Sequence, residues 1–380
     1  MKVLFVIPLL SSYRCFLQDL GDELLNRGDE VYLLTNNAVG EKIEGVKIVH
    51  VDFPRGMNIV RHFRCLSKIR RVVEEVRPDV VHTHFSANIF TVALAKQAGW
   101  PPVMGTFHGL SFPVMQGFVK KKIIMVAEIY ASRKMDRVCV LTHDDEELLA
   151  RYVSHSRLYC YKSMGVGCDT RRFCKDNYTE KQTAALKEKS GIKVGDKVIV
   201  YVGRFVAFKG FHLVARTFNE MNVLGLKLLL LGKKDEIHPT GLSSEEEKSL
   251  FSNPNVINAG FVDNVEDYLA ISDVMLFPST KEGMPVCVME ALAMEVPVIV
   301  PNSRGCNSLV FTGCNGVILD NLEIDTIVRS TKQLIVNLNN SKMRNYLRRN
   351  RNIFDRKYFI NEQITMYVGI TNNGNHTRYN

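Results

Sequence analysis

One stretch decides the fold of this chain: Phe277-Pro-Ser-Thr-Lys-Glu-Gly-Met-Pro-Val-Cys-Val-Met-Glu-Ala-Leu-Ala-Met-Glu-Val-Pro-Val-Ile-Val-Pro301. It begins within an apolar run, residues 274–278, which predicts a strand that ends in a loop. Pro285 suits the first position of a helix, because its ring fixes φ and that position needs no N–H donor. Residues 298–300 predict a second strand. Strand, helix and strand in this order indicate a parallel sheet covered by helices.

Two carboxylates flank the predicted turn, Glu282 in the loop and Glu290 about a turn and a half into the helix. The N–H groups of Gly283, Met284 and Val286 point out of the helix N-terminus, where an anion binds readily. One carboxylate can then hold hydroxyls at the loop while the other holds hydroxyls a nucleotide's length away, which fits a sugar nucleotide. The alternative is a pair of ordinary surface acids, because spaced carboxylates are common.

A second segment supports the first: Val198-Ile-Val-Tyr-Val-Gly-Arg204-Phe-Val-Ala-Phe-Lys209-Gly210. It predicts a buried strand, a tight turn at Gly203 and two cations before a new helix. Arg204 can hold phosphate oxygens with its guanidinium fork, and Lys209 supplies a point charge. Alone, these would be two solvated cations. Together with the carboxylate pair, they predict a site for a phosphorylated sugar.

The chain resembles glycosyltransferase family 4, the retaining enzymes with the GT-B fold. The resemblance covers nearly the whole chain and rests on these features: Gly203-Arg204 with Lys209-Gly210, the pair Glu282 and Glu290, Phe107-His108-Gly109 after a strand, and the segments 260–265 and 268–274. Residues 105–112 and 128–146 resemble members that build bacterial surface polysaccharides. We therefore expect a retaining enzyme that moves a sugar from a nucleotide-diphospho-sugar, UDP-linked, to a glycan or lipid-linked acceptor.

The resemblance also implies which residues form the site. His108 would contact the donor sugar beside the reacting carbon, and Glu282 would hold the sugar's hydroxyls. The donor-binding residues would be Arg204, Lys209, Gly283, Met284, Pro285, Val286, Glu290, Phe261 and Val262. Glu290 would hold the ribose, while the cations stabilise the departing diphosphate. Because positive charge can replace a metal ion there, we expect no metal and no cofactor besides the donor. Front-face attack on the sugar needs no protein nucleophile.

The segment after the first predicted strand differs from the pattern of the family. Members commonly carry a glycine-rich loop there, but residues 8–14 contain no glycine. Ser11 and Ser12 could still donate hydrogen bonds, and Arg14 could reach an acceptor phosphate.

Two histidines share one strand face. His82 and His84 alternate along a strand and could form a metal pair. Neither a third ligand nor an Asp-x-Asp motif accompanies them, so a structural or site-lining role is favoured.

Length and pattern predict two domains. The chain has 380 residues, which is more than a single hydrophobic core usually serves. Its composition, 46% hydrophobic and 23% charged, is that of a globular protein. Strands alternate with helices over residues 1–173 and again over 197–355. We expect two Rossmann-like doubly wound α/β domains facing across a cleft, the first binding the acceptor and the second the nucleotide-sugar. Residues 174–196 are predicted to be the linker, 356–370 a helix crossing back to the first domain, and 371–380 a disordered tail.

The chain is basic, with 49 Lys and Arg against 40 Asp and Glu. Four cations recur on one face of a predicted helix, where a solvated face is the usual explanation: Arg61, Arg64, Lys68 and Arg71. Lys120-Lys121-Lys122 open an apolar helix, where the helix dipole disfavours cations by about 0.3–1 kcal/mol. A bound anion would offset that cost, so we expect first-domain cations to contact anionic lipid headgroups. No nucleic-acid motif accompanies the charge, and no nucleic acid partner is expected.

The compartment follows from the cysteines and the apolar runs. Nine scattered cysteines form neither close zinc-type pairs nor a disulfide framework, which is typical of a reducing cytoplasm. The first apolar run is too short for a signal peptide, and none reaches the length of a membrane span. We expect a cytoplasmic protein with peripheral contact at the inner membrane face.

Two alternative functions stay open. One is a GT-B-type sugar-nucleotide epimerase, hydrolase or phosphorylase, and the other is a non-catalytic sugar-nucleotide-binding or scaffold protein. The intact set of carboxylates, cations and His108 favours the transferase.

Overall fold

The computed structural model of the chain describes residues 1–36, 38–54, 56, 59–221 and 223–376, with side chains as far as residue 372. The chain divides into two compact units. Unit 1 consists of Met1–Val166 and Lys357–Asn380, and unit 2 of Gly167–Arg356.

A parallel sheet forms the centre of unit 1. Its strands are β1 (Lys2–Leu9), β2 (Glu30–Asn36), β3 (Val46–His50), β4 (Val80–His84), β5 (Val103–Phe107), β6 (Arg137–Val140) and β7 (Leu158–Cys160). Across the sheet they follow the order β3-β2-β1-β4-β5-β6-β7, and each neighbouring pair is parallel. Residues 3–7 of β1 are fully buried. Such continuous apolar runs are needed when helices cover both faces of a sheet.

The helices between these strands close the core of unit 1. They are α1 (Leu10–Phe16), α2 (Gln18–Asn26), α3 (Ile59–Val76), α4 (Ser86–Ala95), α5 (Phe118–Lys134) and α6 (His143–Ala150). Helix α4 is apolar on nearly every side and packs between α3 and α5. The apolar face that helical spacing predicts for α3 buries Leu66, Ile69 and Val73, but its first two members, Ile59 and Phe63, are exposed.

The predicted loop after β1 is a helix. The sequence predicts a loop over residues 8–14, but β1 runs to Leu9 and α1 begins at Leu10. Tyr13 explains the difference, because its ring is fully buried against Phe5, with ring centroids 6.0 Å apart. Burying that aromatic side chain stabilises a helical turn that the local sequence does not predict.

Unit 2 repeats the same architecture. Its strands are β8 (Lys197–Val202), β9 (Leu226–Leu231), β10 (Val256–Gly260), β11 (Val274–Leu276), β12 (Val298–Pro301) and β13 (Gly316–Leu319). They form a parallel sheet in the order β10-β9-β8-β11-β12-β13. Its helices are α7 (Glu180–Lys189), α8 (Phe211–Met221), α9 (Ser244–Ser252), α10 (Val265–Ala270), α11 (Val286–Ala293), α12 (Ile324–Val336) and α13 (Ser341–Asn350). The two parallel α/β sheets confirm the predicted fold class.

One edge strand of each sheet was not predicted from the sequence. Strands β7 and β13 lie at sheet edges and contain three and four residues. Runs of that length have too little pattern to distinguish a strand from a loop.

The predicted linker differs from the boundary in the structure. Residues 174–196 lie within unit 2 and contain α7, which begins with a capping box between Thr179 and Gln182. The boundary falls earlier, at Gly167. A Cβ on Gly167 would lie 2.7 Å from Cα of Arg356, so two segments of unit 2 run in close contact there.

The last helix, α14 (Arg356–His376), packs within unit 1. Its Glu362 accepts a hydrogen bond from the Ser163 N–H at 2.7 Å. The sequence predicts a disordered tail from residue 371, but α14 continues to His376, and residues 377–380 lie outside the described residues. Thr371 Oγ1 donates to the Tyr367 carbonyl at 2.8 Å and keeps that turn helical. No helix in the described part of the chain is long and apolar enough to cross a membrane.

Candidate functional site

The strand order of unit 2 brings two loops together. Order reverses between β8 and β11, and ligands of parallel sheets bind beyond the carboxyl ends of strands at such a point. The loop after β8 carries Arg204 and Lys209, and the loop after β11 carries Glu282. These three predicted site residues are therefore neighbours because of topology.

Lys209 and Glu282 form a close ion pair. Lys209 Nζ donates to Oε1 of Glu282 at 2.5 Å, and Ser279 Oγ donates to the same oxygen at 2.7 Å. The side chain of Glu282 is 9% exposed and that of Lys209 21%. A buried charge is tolerated when a partner and hydrogen bonds compensate it. The pair thus holds a carboxylate and a cation ready at one point.

Gly210 allows the two loops to approach. Its φ is +75°, and a Cβ there would lie 2.3 Å from the Pro278 carbonyl oxygen. The Thr280 N–H donates to the Phe208 carbonyl at 3.0 Å and ties the loops together. A side chain at position 210 would push Lys209 away from Glu282.

Arg204 has a different partner, which the sequence analysis missed. Its Nη1 lies 2.5 Å from Oδ2 of Asp235, a residue that follows β9. The N–H of Ile237, the ring of His238 and Arg204 together lower the pKa of Asp235. The signal was available, because Asp235 follows a strand next to β8 and so lies at the same sheet edge.

Helix α11 starts one residue later than predicted. Pro285 is its N-cap, with extended backbone angles, and Val286 is its first helical residue. Met284 is buried, and the Gly283 carbonyl packs so tightly against Gly305 that a Cβ there would overlap it. The loop before the helix is therefore rigidly placed.

Glu290 lies in a charged cluster of its own. Burial raises its pKa to about 7, against the lowering effect of Arg356 and Arg172. Arg172 donates to Glu266 at 2.7 Å and to a backbone carbonyl. Burial also raises the pKa of the Cys287 thiol, which feels the charges of both Glu282 and Glu290. Cys287 lies in the first turn of α11, between the two predicted carboxylates in sequence.

The residues predicted to contact the base follow β10. Phe261 is 72% exposed, and Val262 is half-buried. The Lys233 Nζ lies 5.8 Å from the centroid of the Phe261 ring. An exposed aromatic face beside a cation is a surface on which a planar base can stack.

In unit 1, His108 follows β5 and is paired with His84. Nδ1 of His84 and Nε2 of His108 lie 3.0 Å apart, and the His108 ring stacks on Phe85 with centroids 4.3 Å apart. Burial lowers the pKa of His108 to about 3, and burial also lowers that of His84. Both rings are therefore neutral at pH 7 and can only donate or accept hydrogen bonds.

His82 is engaged at both ring nitrogens. Nδ1 lies 2.6 Å from Oη of Tyr367, and Nε2 lies 2.8 Å from Oγ1 of Thr106. Burial lowers its pKa to about 3. A histidine with both nitrogens bound in this way has no lone pair to offer a metal.

A different group has metal-like spacing. Ligand atoms of His143, Glu146 and Cys160 lie within 4.8 Å of one another. Burial raises the pKa of the Cys160 thiol to about 12, however, and a protonated thiol is a poor ligand. This cluster carries no metal assignment.

Two buried acids hold the loop that follows His108. Glu128 accepts hydrogen bonds from the N–H groups of Ser111 at 2.8 Å and Phe112 at 3.1 Å, and from Ser86 Oγ. Asp145 accepts one from Leu110 N–H at 3.2 Å. Neither role was predicted from the sequence. Burial raises the pKa of Glu128, and these hydrogen bonds oppose the increase.

The three weak candidates of the first loop lie on α1. Ser11 is exposed, Ser12 is half-buried, and Arg14 pairs with Glu41 at 2.9 Å. The structure thus places Arg14 against an acid.

Two family models match the chain. The model described as Glycosyltransferase Family 4 matches residues 16–159, and the model described as Glycosyl transferases group 1 matches residues 182–352. The first range falls in unit 1 and the second in unit 2.

Related proteins point the same way. The chain is 26% identical over 313 residues to the Escherichia coli UDP-Gal:alpha-D-GlcNAc-diphosphoundecaprenol alpha-1,3-galactosyltransferase, covering 80% of this chain and 79% of the relative. It is 24% identical to the Staphylococcus aureus capsular polysaccharide biosynthesis glycosyltransferase CapM, covering 87% and 84%. The structure of Anabaena Alr3699/HepE in complex with UDP has a TM-score of 0.78 at 15% identity, covering 97% of this chain and all of that one.

Proposed function

This chain is a glycosyltransferase with a family 4 domain followed by a group 1 domain, and we propose that it transfers a sugar from UDP to a lipid-linked glycan acceptor with retention of configuration. The observation that carries the proposal is the Lys209–Glu282 pair at the strand reversal of unit 2. The pair places a cation that can bind phosphate next to a carboxylate that can bind sugar hydroxyls, and the two are joined by a hydrogen bond.

The cations exchange partners when the donor binds. The diphosphate takes Lys209 from Glu282 and Arg204 from Asp235, because phosphate oxygens accept strong hydrogen bonds from both. Glu282 is thereby released to accept hydrogen bonds from the sugar. As the diphosphate leaves, its growing negative charge meets cations already in place, which lowers the barrier. We propose that this charge makes a metal unnecessary.

The remaining residues bind or orient. Glu290 holds the ribose hydroxyls, and Phe261 with Val262 lies against the base. His108 is neutral, and in our proposal it gives a hydrogen bond to the donor sugar rather than a charge. The leaving phosphate takes the acceptor's proton.

Relatives support the choice of donor and acceptor. The Escherichia coli relative has a UDP-sugar and a diphosphoundecaprenol substrate in its name, and the Anabaena structure holds UDP. CapM supports a role in making a surface polysaccharide.

We also propose peripheral membrane contact through α5. Lys120, Lys121 and Lys122 lie within its first five residues, and its first turn has no acidic residue. Apolar side chains beside them are exposed, including Val119 at 67% and Val126 at 63%. Cations beside exposed apolar side chains suit an anionic lipid surface, on the cytoplasmic side where nucleotide sugars occur.

The decisive experiment is nucleotide release from UDP- and GDP-sugars, with and without polyprenyl-diphosphate-linked sugars. Acceptor-dependent UDP release is expected. Glu282→Gln should lower turnover about a hundredfold or more while UDP still binds, because its interactions with the sugar strengthen in the transition state. Exposed Glu220→Gln on α8 is the matched control. Donor conversion without acceptor would contradict transfer and indicate an epimerase or hydrolase.

A further inference from the structure

We propose that a cation-lined cavity beside α3 binds the diphosphate of the lipid-linked acceptor. The inference rests on the proposed function, since it names where this chain would hold the acceptor. Arg64 and Lys68 are the residues that carry it.

The cavity has a volume of about 560 Å³ and lies between α3 and the ends of β2 and β3. Arg61, Arg64 and Lys68 line one wall, one helical turn after another. Val51 and Phe53, both buried, form part of its lining. Cations on successive turns match the two linked phosphates of a diphosphate.

The opposite wall is held in place before any ligand binds. The side chain of Asn36 donates to the Phe53 carbonyl at 2.9 Å and accepts from the Phe53 N–H at 2.5 Å. Cys65 Sγ on α3 donates to the Asp52 carbonyl at 3.2 Å and ties the helix to this segment. A cavity with fixed walls loses little entropy on binding.

Two of the cavity's cations, Arg64 and Lys68, lie on α3 one turn apart. Among the described residues, no acid lies within ion-pair distance of Arg64 or Lys68. Asp52 also lines the cavity, but its carboxylate lies 2.8 Å from Nε2 of His50. Like charges three and four residues apart destabilise a helix, and the first turn of α3 has no acidic residue to offset them. A bound polyanion would remove this conflict.

The cavity opens at the functional edge of the unit 1 sheet. Asn36 ends β2, and the lining residues 51–54 follow β3. His108 follows β5 at the same edge, three strands from β2, or about 14 Å at normal strand spacing. An acceptor held by its diphosphate in the cavity could therefore extend its sugar toward His108.

A phospholipid headgroup offers similar phosphate chemistry, so the test separates the two sources. Purified full-length chain would be titrated calorimetrically with farnesyl diphosphate and with inorganic pyrophosphate. Separately, it would be mixed with phosphatidylglycerol vesicles that contain no acceptor. The variant is Arg64→Gln with Lys68→Gln, and the matched control is Lys342→Gln with Arg344→Gln, two exposed cations on α13.

We expect the Arg64/Lys68 variant to bind both diphosphate probes at least tenfold more weakly, with the control unchanged and vesicle binding retained. With a polyprenyl-diphosphate-linked sugar, the acceptor KM should rise tenfold or more while the donor KM changes little. A neutral alkyl glycoside acceptor should show no such rise. Unfolding curves would show that the variant is folded.

Equal affinity of variant and wild type for the diphosphates would overturn the site. The site would also be overturned if the variant lost vesicle binding but kept its affinity for the diphosphates, because Arg64 and Lys68 would then contact the membrane. Failure of the proposed function is distinguishable, because wild type would then release no nucleotide with any donor. The binding titrations would still show whether the cavity binds a diphosphate.

Discussion

At the scale of residues, the charges of the candidate site in unit 2 are neutralised in pairs. Lys209 is held by Glu282, and Arg204 by Asp235. In the proposed function, the donor's phosphates take each cation from its acid, and the acid is then free to accept other hydrogen bonds. Glycine at position 210 makes the first pair possible by letting the backbones of two loops touch.

Glu290 should make stability depend on pH. Its pKa in the folded chain is about 7, raised by burial from an ordinary value of 4.5. Between these values the folded chain keeps the proton that the unfolded chain has released, so stability falls as pH rises through this window. Glu290→Gln removes this loss. The difference in unfolding free energy, variant minus wild type, should be about 2–3 kcal/mol larger at pH 8 than at pH 5.

Urea unfolding at the two pH values measures this, with Glu220→Gln as a control that should follow wild type. An equal difference at both pH values would mean that Glu290 titrates normally.

At the scale of elements, the loop after β5 is held by side chains from α5 and α6. Glu128→Gln would place an amide NH₂ against backbone N–H donors that now share a carboxylate. We expect a loss of about 1–3 kcal/mol in stability. We also expect about a tenfold fall in kcat with little change in acceptor KM, since the displaced loop carries His108.

Steady-state kinetics and thermal unfolding test this together. Glu147→Gln, exposed on α6, is the control. If the Glu128→Gln variant is less stable but has an unchanged kcat, Glu128 stabilises the fold and does not position His108 for the reaction.

Helix α5 is the element expected to reach the membrane. Changing Lys120, Lys121 and Lys122 to Gln should abolish salt-sensitive flotation with anionic vesicles, because each charge contributes about 1 kcal/mol near such a surface. The control changes three lysines of α7 to Gln: Lys181, Lys187 and Lys189. If the wild-type chain does not float with anionic vesicles at low salt, the membrane proposal is wrong.

At the scale of the whole molecule, unit 1 depends on the last helix of the chain. The Tyr367 hydroxyl reaches His82 at 2.6 Å, and both side chains are fully buried. Tyr367→Phe would leave a ring nitrogen of His82 without its partner, at a loss of about 1–3 kcal/mol. Chemical denaturation measures it, with the half-exposed Tyr358→Phe on the same helix as control. Equal stability of the two variants would contradict a structural role for this hydrogen bond.

Much of this organisation was predictable. The strands predicted at residues 274–278 and 298–300 are found at Val274–Leu276 and Val298–Pro301, because central parallel strands are continuous apolar runs. The positions of Arg204, Lys209 and Glu282 after strand ends were also readable, since parallel strands present their carboxyl ends at one edge. The short strands β7 and β13 and the helix α1 were missed, because their stability comes from neighbours distant in sequence.

The sequence by itself determined the alternation of strands and helices, the two α/β sheets and the residue types of the site. Periodicity and turn chemistry are local properties, and they are enough for that. Only the tertiary structure decided who pairs with whom: Lys209 with Glu282, Arg204 with Asp235, and Glu128 with the loop after β5. Those contacts join residues 17 to 73 positions apart. They depend on strand order and on burial, which no local pattern encodes.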